Sequence, residues 1–334
     1  MIRAAVGPWG LLVALVLAAC APSAPPLPAA PVPAGPGIVV DAQSVPLDPR
    51  DPSHTQMGAF RYAGGLALTS KQTSRLHGMS DLKVYRDGRL IAMGDEGDLL
   101  EGRLVLGRAG IDLQGAPVGL ADAKLTAIVG EDGLPLSAHG KRESDSEGIA
   151  QLANGDRLVS LEEDDRILLY PHDGGRPRRA PSPDVTFPFN LGMEALAEYP
   201  QAGPDAYVVG GEASGQTWIC RLSGGCTPAG VVPKGPEFGL TAVAPLPNGR
   251  MAYLLRAFDP LRGSRIILKI LDKAGMEIDR LELAQPLTVD NFEGLAAMTD
   301  TGGPVRFYLI SDDNFSSSQR TLLLAFDWTP PSGR

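Results

Sequence analysis

The sequence predicts an all-β protein, a β-propeller of five or six blades with four antiparallel strands in each. A strand–turn–strand pattern recurs at intervals of about 47 to 52 residues with one longer interval, and a propeller blade is about 40–50 residues long. The counts of Gly 40 and Pro 30 in 334 residues indicate many turns and short strands. Long amphipathic helical patterns are absent, which argues against a TIM barrel, and a β-sandwich would not explain a repeat of this length.

Five units share one pattern. A first strand of small and apolar residues leads through a polar turn to a second apolar strand that ends in charged residues. Asn-Gly and Asp-Gly pairs supply the positive φ that hairpin turns need. The units are HGMSDLKVYRDGRLIAMGDEG from His77, DSEGIAQLANGDRLVSLEEDD from Asp145, LGMEALAEYPQAGPDAYVVGGEAS from Leu191, FGLTAVAPLPNGRMAYLLRAFD from Phe238 and NFEGLAAMTDTGGPVRFYLISDDN from Asn291.

Outer strands follow four of these hairpins. They read RILLY at 166–170, TWICRL at 217–222, RIILKIL at 265–271 and TLLLAF at 321–326. The blade count stays open at this point. A sixth blade could be assembled from residues 102–140, inside the longest interval, or residues 58–69 could close the ring with the C-terminus.

The N-terminus predicts a lipoprotein signal peptide over residues 1–19. The apolar run from Leu11 to Ala19 has the length of a signal-peptide core and ends in Leu-Ala-Ala-Cys at Cys20. This sequence resembles the bacterial lipobox, in which cleavage precedes a cysteine that becomes lipidated. The alternative is an ordinary signal peptide with a chance cysteine. Because Ala21 and not Asp follows Cys20, the lipobox favours sorting to the outer membrane.

Residues 20–40 are predicted to be the lipidated cysteine and a linker rich in Pro and Ala, and residues 41–330 the propeller domain. The acyl chains would anchor the protein to a membrane, which we expect to be the periplasmic face of the outer membrane. The net charge of −9 and a pI near 5.0 argue against a nucleic-acid partner. We expect a monomer.

Cys220 and Cys226 bracket the residues RLSGG, and a glycine-rich hairpin could bring the two sulfur atoms together. In an oxidising periplasm this spacing favours a disulfide, with two free thiols as the alternative. A zinc site would need further ligands, and the 4 histidines are not clustered in the sequence.

Carboxylates recur at one position of the repeat, here called the anchor position. Equivalent positions of repeats lie at equivalent places around a ring, so Glu147, Glu194 and Glu293 are predicted to converge near the axis. Small residues that follow them would allow close packing there. The anchor residues of the five units are Ser80, Glu147, Glu194, Thr241 and Glu293.

A second acidic set follows the second strand of each unit except the fourth, which has Arg256. Carboxylates around one axis repel each other unless a cation neutralises them, and oxygen ligands in number suit Ca²⁺. The alternative is structural, because acids at strand ends cap turns and join neighbouring blades. The second set is Asp95-Glu96, Glu162-Glu163, Glu212 and Asp312-Asp313. The candidate metal ligands are Asp95, Glu147, Glu194, Glu293, Asp312 and Asp313.

An ordered set of segments resembles the bacterial phytase-like family, named for the "esterase-like activity of phytase". The resemblance covers about residues 58–328 and is marked by GGLALTSKQTSRLHGMSDLKV, IAMGDEGD, SEGIA, LVSLEEDDRILLY, AFDPLRGSRIILKIL, NFEGLAAM and YLISDDN. It implies a β-propeller related to calcium-dependent phytases, in which carboxylates hold Ca²⁺ ions that bind phosphate and activate water.

The resemblance implies a metal-dependent phosphoester hydrolase with Glu147, Glu194 and Glu293 as candidate catalytic residues. Arg256 and Arg262 are the candidate phosphate-binding residues. The chain contains no Gly-x-Ser-x-Gly motif, so the usual serine hydrolase signature is missing. The alternative function is a non-catalytic, lipid-anchored propeller that binds a small molecule, a glycan or an envelope protein, and a third possibility is that the acids only hold blades together.

Overall fold

The computed structural model describes residues 37–107, 115–299 and 304–330. The predicted signal peptide, Cys20 and the linker up to residue 36 lie outside these residues. At the start of the described chain the Ile38 amide donates a hydrogen bond to the Ala123 carbonyl, and Ile38 is buried. Within the described ranges, no helix has the length and apolar character to cross a bilayer.

Three strands open the described chain and two blades follow. The first strands are β1 (Asp41–Ser44), β2 (Gln56–Met57) and β3 (Phe60–Thr69). The first blade consists of β4 (Met79–Val84), β5 (Arg89–Gly94), β6 (Asp98–Leu106) and β7 (Pro117–Ala127). A 3₁₀ turn (Leu136–His139) and the short helix α1 (Lys141–Ser144) lead to the second blade, β8 (Ser146–Gln151), β9 (Arg157–Leu161), β10 (Arg166–Tyr170) and β11 (Arg178–Ala180).

Three more blades complete the described fold. The third consists of β12 (Ala195–Glu198), β13 (Ala206–Gly210), β14 (Gln216–Arg221) and β15 (Gly225–Val231), with a 3₁₀ turn at Pro200–Ala202. The fourth consists of β16 (Gly239–Pro245), β17 (Met251–Asp259), β18 (Gly263–Leu271) and β19 (Glu277–Ala284), with a 3₁₀ turn at Pro247–Gly249. The fifth contains β20 (Asn291–Thr299), β21 (Val305–Asp312) and β22 (Leu322–Trp328).

The fifth blade is closed by the N-terminal part of the chain. Strand β3 pairs antiparallel with β22, and β1 and β2 pair with β3. The first strands of the five blades, β4, β8, β12, β16 and β20, each contact the next, and β20 contacts β4. The described residues therefore form a five-bladed β-propeller. Residues 58–69 supply the closing strand, and the long first interval holds β7, the 3₁₀ turn and α1 in place of a sixth blade.

The core is divided into apolar layers between neighbouring blades. Ile91 of the first blade and Val159 of the second share one layer, and Tyr207 of the third blade packs with Leu158 of the second. The largest layer joins the fourth and fifth blades and contains Trp328, which is 0% exposed. Because each sheet is covered on both faces, its central strands read as continuous apolar runs.

The predicted disulfide is confirmed. Cys220 on β14 and Cys226 on β15 are directly opposite each other in the antiparallel register and are joined by an S–S bond.

Candidate functional site

The anchor residues are set apart from the regular strand pairing. In four blades the register of the innermost strand shifts at the anchor, which leaves Ser80, Glu147, Thr241 and Glu293 as bulge residues. In the third blade Glu194 directly precedes β12. A β-bulge leaves one residue unpaired and re-aims its side chain. In four blades the repeat thus places one redirected side chain near the start of the inner strand, and in the third blade Glu194 stands just before that strand.

Small residues next to the anchors allow the inner strands to approach each other closely. A Cβ added at Gly148 would lie 2.6 Å from Leu196 Cβ and 2.7 Å from the Glu194 carbonyl oxygen. A Cβ added at Gly294 would lie 2.7 Å from Asp81 Cα. These approaches bring the carboxylates of different blades together near the axis.

Carboxylates of three blades form a buried group, here called the acidic cluster: Asp145, Glu147, Glu162, Glu194, Glu212 and Glu293. Two trios within it have carboxylate oxygens within 4.8 Å of one another, namely Asp145 with Glu147 and Glu162, and Glu162 with Glu194 and Glu212. Glu162 belongs to both trios. All six residues except Glu293 therefore lie in sets whose spacing suits a shared cation.

One arginine enters the acidic cluster from the fourth blade. Arg256 Nη2 lies 3.0 Å from Glu212 Oε1 and 3.8 Å from Glu194 Oε1, and Nη1 lies 2.8 Å from Glu293 Oε1. Nη1 also donates a 2.8 Å hydrogen bond to Asn291 Oδ1. Arg256 thus faces three carboxylates of the cluster with one positive charge, so this part of the cluster keeps an excess of negative charge when its members are ionised.

Glu147 is the member with the fewest compensating partners. It is 9% exposed, and within the described residues its carboxylate takes part in no hydrogen bond or ion pair. Burial, followed by the charges of Glu194 and Glu293, raises the pKa of Glu147 well above its usual range. Buried oxygens without a partner also occur on neighbouring residues, at Asp145 Oδ2 and Glu194 Oε2.

Burial and like charges shift the other acids in the same direction. Burial raises the pKa of Glu162 to about 7, against a hydrogen bond from the Gly192 amide that lowers it. Burial raises the pKa of Glu293 to about 8, although Arg256 lowers it. Burial also raises the pKa of Asp312 to about 7. Glu293 therefore holds a proton at neutral pH unless a cation replaces it, whereas Glu162 and Asp312 are only partly protonated there.

The remaining predicted ligands have partners of their own. Asp312 accepts hydrogen bonds from the Asn314 amide (2.6 Å) and from Asn291 Nδ2 (3.2 Å). Asp313 accepts from the amides of Gly78 and Phe315 and from the Thr321 hydroxyl. These contacts hold a turn together, as the structural reading of the sequence expected.

Asp95 stands at the edge of the cluster and is joined to a lysine. Lys141 Nζ lies 2.6 Å from Asp95 Oδ2 and 2.5 Å from Asp145 Oδ1. Burial raises the pKa of Asp95, and its Oδ1 is buried without a partner. Lys141 is thus a second cation beside the acidic cluster.

The two predicted phosphate-binding arginines lie in different surroundings. Arg256 lines a cavity of about 320 Å³ with Leu191, Phe238 and Phe258. Arg262 lies on the β17–β18 turn, where Nε is 2.5 Å from Asp259 Oδ2 and the side chain is 62% exposed. The structure therefore puts Arg256, and not Arg262, into contact with the acidic cluster.

Sequence reasoning did not assign Glu162 and Glu212 as ligands, although both belong to the second acidic set. Their side chains cross to the next blade. The Gly192 amide donates a 2.7 Å hydrogen bond to Glu162 Oε1, and a Cβ at Gly239 would collide with the Glu212 carboxylate. The signal in the sequence is the glycine two residues before an anchor, which makes room for a carboxylate of the preceding blade.

Asp145 and Asn291 occupy the same position in the second and fifth units, two residues before Glu147 and Glu293. Both side chains join the site: Asp145 belongs to a carboxylate trio, and Asn291 Nδ2 donates a 2.9 Å hydrogen bond to Glu293 Oε1. The sequence contains this signal in DSEG and NFEG, which have a polar residue two positions before the anchor. It is recognisable only by comparison, because the other units have a glycine at that position.

Comparison with family models identifies one family for this chain. A family model described as "Phytase-like: Esterase-like activity of phytase" matches residues 74–315. No curated protein sequence matches the chain.

Several solved structures are similar to the chain at low sequence identity. Virginiamycin B lyase from Staphylococcus aureus is 11% identical with a TM-score of 0.43, over 87% of this chain and 100% of that chain. The major allergen Mala s 1 of Malassezia sympodialis is 12% identical with a TM-score of 0.42, over 82% and 91%. The Cps50 β-propeller domain of Myceliophteria thermophila is 11% identical with a TM-score of 0.35, over 75% and 72%. At these values the likenesses carry no argument about activity.

Proposed function

Since the chain belongs to the phytase-like family, we propose that it is a Ca²⁺-dependent phosphoester hydrolase whose site is the acidic cluster. The observation that carries the proposal is the trio of Asp145, Glu147 and Glu162, whose oxygens lie within 4.8 Å of one another at the axis of the propeller. Hard oxygen donors in this number are the ligands that Ca²⁺ prefers.

The chemistry of the side chains in the acidic cluster suits a bound cation. Asp145 Oδ2 and Glu194 Oε2 are buried without a partner, and a buried polar atom left unpaired is costly. The Glu147 carboxylate has no hydrogen-bond donor among the described residues. We assign Asp145, Glu147 and Glu162 as the primary ligands, with Glu194 and Glu212 as a neighbouring set. Bound Ca²⁺ would supply Lewis-acid polarisation of a phosphoryl oxygen and a more acidic bound water.

The protein's own groups supply binding and proton transfer. Arg256 lines the 320 Å³ cavity beside the cluster, where a guanidinium can bind a phosphate through two parallel hydrogen bonds. Glu293 lies next to it and has a pKa raised to about 8, so it holds a proton at neutral pH. In that state it can donate the proton to a leaving oxygen as a general acid.

The test is hydrolysis of p-nitrophenyl phosphate and of phytate by the purified protein, with Ca²⁺ and with EDTA. We expect Ca²⁺-dependent turnover that falls at least about 100-fold in Glu147→Gln and in Glu293→Gln. The matched control is Glu282→Gln, whose side chain is 61% exposed on β19, and its activity should equal that of the wild type. Absence of turnover on both substrates, with Ca²⁺ binding intact, would refute the catalytic proposal.

A non-catalytic propeller that binds a small molecule, glycan or envelope protein is the second candidate. It is favoured by the ion pairs of Arg256, which already joins Glu212 of the third blade to Glu293 of the fifth. In that case the acids hold blades and a ligand but transfer no phosphoryl group. A thermal shift with a ligand, without turnover, would support this reading.

The N-terminal sequence supports a proposal about where in the cell the protein lies. We propose that Cys20 is lipidated and that the Pro/Ala-rich linker holds the propeller at the periplasmic face of the outer membrane. Metabolic labelling with a fatty acid analogue, compared between the wild type and Cys20→Ser, tests this. Equal labelling of both forms would contradict it.

A further inference from the structure

A second cavity lies at the opposite end of the channel. It has a volume of about 280 Å³ and is here called the basal pocket. All five inner strands contribute to its wall, through Lys83 of β4, Gln151 of β8, Glu198 of β12, Pro245 of β16 and Ala297 of β20. A cavity lined by every blade lies on the axis of the propeller.

The basal pocket is separate from the acidic cluster. Glu147 lies near the start of β8 and Gln151 at its end, a distance of roughly 13 Å along an extended strand. Between the two levels, Asp81 Oδ2 accepts a 3.0 Å hydrogen bond from the Ile149 amide and Asp81 Oδ1 a 3.3 Å hydrogen bond from the Leu295 amide. This carboxylate thus joins three inner strands across the channel.

The charged groups of the basal pocket have unused hydrogen-bonding capacity. Lys83 Nζ is 3.7 Å from Asp81 Oδ2, and its side chain is only 12% exposed. This ion pair with Asp81 occupies one side of the ammonium, which has three donors, so capacity for a ligand is left. Glu198 Oε2 is buried without a partner. Lys83 and Glu198 line the same cavity, and no ion pair joins them among the described residues, so the cavity offers one cation and one anion to a ligand.

We propose that the basal pocket binds a small organic acid that carries an amine, such as a free amino acid. The ligand carboxylate would accept hydrogen bonds from Lys83, and the ligand ammonium would donate to Glu198. Charge-assisted hydrogen bonds of this kind are the strong ones. Val84, Leu152 and Leu295 line the remaining wall and suit a short aliphatic side chain. The volume is below that of pockets for drug-sized ligands, which limits the occupant to small molecules.

The experiment is isothermal titration calorimetry of the full-length protein with glycine, alanine, serine and valine. Acetate and methylamine are the half-ligand controls. We expect at least one amino acid to bind with a Kd of about 10 μM to 1 mM, at least about 10-fold tighter than either half-ligand. Lys83→Met and Glu198→Gln should each weaken it at least about 10-fold, whereas the exposed Glu282→Gln should leave the affinity unchanged.

Circular dichroism will show whether Lys83→Met folds. If it does not, Glu198→Gln still tests the proposal, because glutamine has nearly the same shape as glutamate. Ca²⁺ binding measured on the same samples should be unchanged in both variants, so a failure at the acidic cluster is distinguished from a failure here. Three results would overturn the proposal: no binding of any of the four amino acids, acetate binding as tightly as alanine, or an affinity that Glu198→Gln does not alter.

Discussion

Arg256 and Glu293 are joined across the boundary between the fourth and fifth blades, with Nη1 2.8 Å from Oε1. Arg256 lies within β17, the second strand of the fourth blade, at the position where the other blades carry acids. The fourth blade, whose anchor is Thr241, thus contributes the cation that the glutamates of its neighbours require. The acidic cluster therefore already holds an internal cation, and its competition with the proposed Ca²⁺ can be measured.

Replacement of Arg256 by Met is expected to destabilise the metal-free protein. Breaking a buried ion pair by removing one partner costs about 3–5 kcal/mol, and Glu212 and Glu293 both lose their guanidinium contact. The cluster would then gain more from a cation, so the rise in Tm on adding Ca²⁺ should exceed that of the wild type. Urea unfolding with EDTA and thermal unfolding with and without Ca²⁺ measure the two effects.

The control for Arg256→Met is Arg89→Met, because Arg89 and Asp87 form an ion pair with both side chains more than half exposed. A surface pair contributes about 0–1 kcal/mol. If Arg256→Met lowered the free energy of unfolding no more than Arg89→Met, Arg256 would have no structural role.

The pH dependence of stability in EDTA has a definite sign. Burial raises the pKa of Glu162 to about 7 and of Glu293 to about 8, both above the unfolded value of 4.5. The folded state therefore binds more protons than the unfolded state, and the stability that these protons supply is lost as the pH rises through the folded values. The free energy of unfolding should fall between pH 6.5 and 8.

Saturating Ca²⁺ should reduce or reverse that fall, because the ion requires deprotonated carboxylates. Urea titrations at four pH values in this window, with EDTA and with Ca²⁺, provide the comparison. A free energy of unfolding that increases with pH in EDTA would count against protonated carboxylates in the cluster.

Asp81→Ala is expected to weaken the ring without involving a ligand. The carboxylate accepts hydrogen bonds from the amides of Ile149 and Leu295 on two neighbouring inner strands. Each buried amide left without an acceptor costs about 1–3 kcal/mol, so urea unfolding should show a loss of about 2–4 kcal/mol. Asp41→Ala, at a half-exposed carboxylate, should stay within about 0.5 kcal/mol, and equal effects of the two substitutions would disprove the role of Asp81.

Gly148→Ala tests the close approach of the second and third inner strands. The new methyl group would lie 2.6 Å from Leu196 Cβ, and overpacking of this kind costs about 1–3 kcal/mol. Gly224→Ala is the matched control, since the nearest atom to its Cβ is Arg221 Cβ at 3.9 Å. Thermal unfolding of both variants should show a lower Tm for Gly148→Ala alone.

The repeat in the sequence predicted the hairpins and the shared position of Glu147, Glu194 and Glu293, because equivalent residues of a closed ring face the same axis. It left the blade count open, since closure depends on pairing between β3 and β22, which are distant in the sequence. The disulfide was predictable because Cys220 and Cys226 belong to one hairpin.

Contacts between side chains of different blades could not be predicted from the sequence. Glu162 reaches the Gly192 amide of the next blade, which no pattern within one unit indicates. Asp312 and Asp313 were candidates for the metal because they follow the second strand of their unit, with a turn as the alternative. The choice between the two roles depends on the hydrogen bonds from the Asn314 and Phe315 amides, which the sequence does not show. Arg262 forms an ion pair with Asp259, three positions earlier in the same turn. This spacing was visible in the sequence.

Calorimetric titration of Ca²⁺ into EDTA-treated, dialysed protein tests the proposed metal site. We expect saturable binding in the wild type and in Glu282→Gln, with an affinity at least about 10-fold weaker in Glu147→Gln, because Glu147 belongs to the trio assigned to the ion. Absence of saturable Ca²⁺ binding in the wild type, or an unchanged affinity in Glu147→Gln, would contradict the proposed site.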